Sequence, residues 1–69
     1  MIDWRKVTQN LSKRGIGMTQ AATVAGIPAG QLSSLWTGRA LEPPFSVGVK
    51  LLDLHFDRCP DLHNDILEL

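Results

Sequence analysis

Met18-Thr-Gln-Ala-Ala22-Thr-Val-Ala-Gly26-Ile-Pro28-Ala-Gly-Gln-Leu32-Ser-Ser-Leu35-Trp-Thr-Gly38 is the stretch on which the fold turns. Met18 to Ala25 is alanine-rich, with Ala21, Ala22 and Ala25 forming a small-residue face. Gly26 punctuates it. Pro28 fits the first turn of a second helix, where its missing N–H costs nothing. Leu32, Leu35 and Trp36 fall on one side of that helix, and Gly38 ends it. Two short helices can cross steeply when the turn holds a glycine and the contact uses a small side chain. Ala22 stands four residues before Gly26, where a bulkier group would push the helices apart, and Ile27, Leu32 and Leu35 supply the apolar plug. This is the spacing of a helix-turn-helix over about residues 17–38.

Outward from this pair, every strong periodicity is helical, and no segment alternates cleanly over six residues. Asp3 is a natural N-cap for a first helix with Trp4, Val7 and Leu11 on one face. Gly15 stops it behind Lys13 and Arg14, whose charges suit a helix C-terminus, and Ile16 folds back. Glu42-Pro43-Pro44 is a stiff connector. Ser46 is expected to cap a fourth helix carrying Val47, Leu51, Leu52 and Leu54. Asp57-Arg58-Cys59-Pro60 breaks it, and a short fifth helix holds Leu62, Ile66, Leu67 and Leu69. The reading is all-α: a compact bundle of four to five short helices in a single domain over 1–69.

Length and composition agree. Sixty-nine residues bury only about 60% of their unfolded surface, which excludes multidomain enzymes and large cofactor folds. Apolar residues at 43% and charged residues at 20% describe a globular chain rather than a disordered one. One cysteine, Cys59, excludes an internal disulfide and a four-cysteine zinc site. No apolar run approaches a membrane span and no signal-peptide core follows the first charges, so a cytoplasmic protein is expected. The zero net charge is segregated. Residues 1–40 carry Arg5, Lys6, Lys13, Arg14 and Arg39 against Asp3, a net of +4, and residues 41–69 carry −4. The split points to a face for a polyanion and another turned away from it, against the plainer reading of two solvated faces.

Over residues 4–55 the chain resembles the lambda-repressor/Cro-like (Xre-type) DNA-binding family, particularly its short prophage members. The resemblance runs through Trp4, Arg14-Gly15, Ala22 with Gly26, Leu32-Ser33-Ser34-Leu35, Gly38, Pro44-Phe45, Gly48, Leu51, Leu54 and His55. Such families often open the second helix with Thr-Gln. Counting back from Gly26 through Ala22 puts Gly17-Met18 there instead, so Thr19 and Gln20 fall within the first turn, near a phosphate. The resemblance implies a dimeric, sequence-specific repressor that lays residues 28–36 in the major groove of a palindromic operator, in the cytoplasm of a bacterial host. Base-edge positions map onto Ala29, Gly30, Ser33 and Ser34, with Pro28 before them and Gln31 beside them. Ala29 suits a thymine methyl and Gln31 an adenine. This reader set is weak, so DNA shape and dimer spacing carry part of the specificity. Phosphate contacts fall to Thr19, Gln20, Thr37, Arg39, Lys13 and Arg14. Trp36 reads as a core and interhelix packer rather than a base-stacking residue.

The segment 57–69 carries too many apolar groups for a free tail. Leu62, Ile66, Leu67 and Leu69 are expected to form either a dimer surface or a lid over the core. His55, Cys59 and His63 are spaced by four, as metal ligands on a helix would be. Pro60 breaks the helix that this geometry needs, so a buried Cys59 and two surface or interface histidines are expected, with no metal and no cofactor. Asp53/Asp57 and Asp61/Asp65 read as solvated charge, and no nucleophile stands with a base, so neither an enzyme nor a small-molecule substrate is expected. The competing function is a protein-interaction module, antitoxin-like or an anti-regulator, that keeps the helix pair as scaffold.

Overall fold

The Asp3 carboxylate accepts a hydrogen bond from the Lys6 amide at 3.2 Å and starts α1, Trp4–Lys13, as an N-cap should. The computed structural model describes residues 2–39 and 42–67. At the far end of α1, Gly15 takes a φ of +87°, which a β-carbon would strain. Gly15 N–H then reaches Ser12 O, and Ile16 N–H reaches Leu11 O at 2.9 Å. These paired bonds satisfy carbonyls the helix leaves open and drive Ile16 into the core.

The same device recurs one helix later. α2, Met18–Ala25, ends at Gly26 with φ +76°; Gly26 N–H bonds Thr23 O and Ile27 N–H bonds Ala22 O. α3, Ala29–Trp36, follows after the three-residue turn Gly26-Ile27-Pro28. Pro28 stands just outside the first turn rather than in it, and its carbonyl accepts from Gln31 and Leu32. α4, Phe45–Arg58, is capped by Pro44, not by Ser46. The extended backbone at Pro44 (φ −55°, ψ 152°) sets the entry, so the helix is already under way when Ser46 arrives. The fifth helix, Pro60–Ile66, winds as a tighter 3-10 helix.

The described residues form an all-α bundle of five short helices. α2 and α3 pack on each other and on α1, while α4 lies against α1, α2 and the 3-10 helix but not α3. Val7, Leu11, Ile16, Leu32, Leu35, Val47, Leu51, Cys59 and Ile66 close around the three alanines of α2. Each fully buried leucine contributes about 1.5–3 kcal/mol of transfer free energy. Trp36 departs from expectation: it is half-buried and outside this cluster, whereas Trp4 packs against it.

The C-terminal segment is a lid for Ile66, which is 1% exposed and therefore belongs to the core rather than to a dimer surface. Asp3 N–H holds Ile66 O at 2.7 Å, and Ile2 pairs with Leu67 in an isolated antiparallel bridge. Leu62 is half-buried against the core, Leu67 is exposed, and Leu69 lies outside the described residues. His55 also departs from expectation, because it is wholly buried rather than at the surface. Its ring sits between Asn10 of α1 and His63 of the 3-10 helix, where polar partners replace the lost water.

Candidate nucleic-acid interface

The first turn of α3 sets Gly30 and Gln31 at the surface, with Ala29 half-buried against the core behind them. Ser33 and Ser34 are half-buried one turn on. Of the expected base-edge set, Gly30 and Gln31 are thus the open positions, and Ala29 is partly spent on packing. No acidic residue occupies the first turn of α2 or α3, and neither helix has a side-chain N-cap. Their leading N–H groups therefore point outward with the positive end of the helix dipole, an environment suited to phosphate.

Thr19 and Gln20 are exposed in the first turn of α2, and the Thr19 carbonyl accepts the Thr23 hydroxyl at 2.9 Å. At the other end of α3, Thr37 is exposed. Its hydroxyl donates backward to Ser33 O at 3.2 Å, so only its lone pairs face outward. Arg39 follows Gly38, which has a φ of +80° and continues no helix.

Arg5 joins this end, which the sequence reading did not anticipate. Its side chain lies over Gly38: a β-carbon there would stand 3.7 Å from Arg5 Cδ and 3.8 Å from Cζ. Arg5 is exposed and forms no ion pair among the described residues. In the sequence Arg5 enters only as one of the basic residues of the N-terminal half; the packing of α1 on α3 brings it over Gly38, between Thr37 and Arg39 in the chain. The missing side chain at Gly38 was the available signal.

The charge segregation along the chain is partly undone in space. Arg14 donates to Asp61 at 2.7 Å, and Lys6 lies 3.5 Å from Asp65. The hydrogen bond to Asp61 holds the Arg14 guanidinium further up, while Arg14 holds the Asp61 carboxyl below its usual range. Arg14 is therefore engaged with the acidic segment, whereas Lys13 beside it is exposed and unpaired among the described residues.

The buried polar cluster offers structure rather than reactivity. Cys59 Sγ points at Asn10 O, 3.6 Å away, and burial pushes its thiol up, which disfavours the thiolate. Among the described residues no three His, Cys, Asp or Glu side chains converge as a metal would require. No described helix is long and apolar enough to cross a membrane. No protein-family model, curated protein or solved structure matches this chain.

Proposed function

We propose that the chain is a sequence-specific DNA-binding regulator of the Cro-like kind, with α2, the turn and α3 acting as a helix-turn-helix. The observation that carries this reading is the α2–α3 junction. Gly26 closes α2 in the left-handed region, Ala22 and Leu32 are buried at the contact, and the first turn of α3 stays open at Gly30 and Gln31. In this docking α3 enters the major groove, Gln31 reads a base edge, and Gly30 lets the backbone approach closely. Arg39 and Arg5 bind phosphate at one end of α3, and the leading amides of α2 with Thr19 and Gln20 do so at the other.

Two copies would read the halves of a palindrome about 34 Å apart. Such a protein would act in the cytoplasm of a bacterial host on a phage or prophage operator, as the family resemblance implies. The test is selection from a randomised duplex pool at low and physiological salt. An enriched inverted repeat with half-sites one helical turn apart is the expected result. No binding even at low salt overturns the reading and favours the protein-interaction alternative.

A further inference from the structure

Among the described residues the 3-10 helix Pro60–Ile66 packs on α1 and α4 alone. Lifting it leaves the packing of α1, α2, α3 and α4 on one another in place. Its ties are few: Ile66 in the core, Asp3 N–H on Ile66 O at 2.7 Å, and the Ile2–Leu67 bridge. The ion pairs Arg14–Asp61 and Lys6–Asp65 are exposed, so water and salt weaken both. A 3-10 helix also has poorer hydrogen-bond geometry than an α-helix. These are the marks of a segment that opens locally.

Beneath this lid two imidazoles meet. His55 of α4 is wholly buried, and His63 lies over it with its edge against Phe56. Their Nδ1 atoms are 3.3 Å apart. Neutral rings satisfy this contact, one donating and the other accepting. When both rings carry a second proton, two N–H groups and two like charges stand head to head. The neighbours do little to offset that charge. α1 presents the neutral Asn10, while its Lys6 and Arg14 are turned to Asp65 and Asp61. Cys59, which follows α4, is a buried thiol on Asn10 O, and α2 has no titratable side chain. From the lid itself only Asp65 opposes the repulsion.

We infer that the His55–His63 pair is a latch: acid parts the two rings, and the C-terminal lid lifts as a unit while α1 to α4 stay folded. The closed lid keeps His55 out of water and against His63, so opening it takes up a proton. The ion pairs do not release first, because Arg14 holds the Asp61 carboxyl below its usual range and it keeps its charge. Lifting carries two acids away from α1 and leaves Lys6 and Arg14 without their partners. The inference concerns a separate part of the molecule and stands or falls independently of DNA binding.

The test is amide hydrogen exchange of the full chain, followed by NMR at about pH 7.5 and about pH 5.5 and expressed as protection factors. Asp3 N–H, bonded to Ile66 O, and Leu62 N–H, bonded to Cys59 O, report the lid; Leu11 and Leu51, buried in mid-helix, report the bundle. The lid amides are expected to lose about tenfold in protection over this interval, as one proton taken up at an ordinary histidine pKa requires. Unfolding of the whole bundle takes up the same proton, so the level of protection is the second criterion. At both pH values the lid amides should stand at least tenfold below Leu11 and Leu51. His63→Gln, which removes the like charge, should make the drop shallower, and His55→Gln should abolish it. If His55→Gln does not fold, His63→Gln decides. Three outcomes overturn the proposal: lid protection that is flat with pH, lid amides as protected as Leu11 and Leu51, or an unchanged drop in His63→Gln.

Discussion

The Nδ1 atoms of His55 and His63 face each other across 3.3 Å, so one must donate and the other accept. The Asn10 side chain, oriented with its amide nitrogen 3.2 Å from His55 Nε2, favours the tautomer in which His55 carries its hydrogen on Nδ1 and gives it to His63. A second proton on His55 would have to enter at Nε2, against a donor. Burial depresses the His55 pKa below its ordinary 6.5, His63 depresses it further, and Asp65 partly opposes them.

The unfolded chain therefore takes up this proton before the folded one does. Stability from neutral His55 is complete above about pH 6.5 and declines as the pH falls below it. Thermal melts from pH 8 to pH 5 should show the decline. His63→Gln should make it shallower without abolishing it, because burial is the larger cause. A flat profile over that range would contradict the assignment.

Gly26 and Gly30 should respond oppositely to alanine. Gly26→Ala forces a β-carbon into the left-handed region, at a cost of about 1–2 kcal/mol, although its nearest neighbour is only Lys50 Nζ at 3.6 Å. Gly30 lies in α3, and among the described residues nothing stands within 4 Å of a β-carbon there, so Gly30→Ala should stabilise by about 0.5 kcal/mol. Urea titration of both variants measures the two signs. On the proposed docking, Gly30→Ala also weakens DNA binding despite the more stable fold.

Arg5→Ala and Arg39→Ala should weaken binding to every DNA sequence alike, and each should reduce the log–log salt slope by about one. Gln31→Ala should instead relax the preference at one base position. Salt titrations on specific and scrambled duplexes separate the two behaviours. An Arg5 variant with an unchanged slope would place that side chain outside the DNA contact.

Asp61→Asn should release Arg14 from its 2.7 Å pairing and return a cation to the basic side of the molecule. DNA affinity at low salt is expected to rise, and the melting temperature at neutral pH to change little, because the pair is exposed. The contribution of Asp61 to stability is present above its ordinary carboxylate range and fades as acid protonates it. If Asp61→Asn leaves affinity unaltered, Arg14 takes no part in binding.

The helices were legible wherever a local signal marks the end of an element. Asp3, Gly15, Gly26 and Gly38 act within a few residues of themselves, and each terminates or starts a helix where the chain suggests. Contacts between distant segments were not legible in this way. Periodicity marks His55 as a ring of ambiguous polarity; Asn10, 45 residues away, and His63 in the next element make its burial tolerable. Ile66 stood open between a dimer surface and a lid, because the sequence does not show that Asp65 and Asp61 pair with Lys6 and Arg14 and hold the segment against the core. Arg5 was overlooked for the same reason, since its neighbour Gly38 is remote in sequence. The exposure of Phe45, Val49 and Phe56 on α4 was masked by the run of leucines that packs the opposite side of the same helix.

Cys59 is the chain's single thiol, is fully buried, and is turned toward a backbone carbonyl. An alkylating reagent can reach it only after the lid formed by the 3-10 helix has lifted from α1. The native protein thus carries its own clock: the labelling rate divided by that of a free thiol gives the fraction of time the molecule spends open. Comparing that free energy with the one from urea would show whether the C-terminal segment detaches alone or only as the whole bundle comes apart.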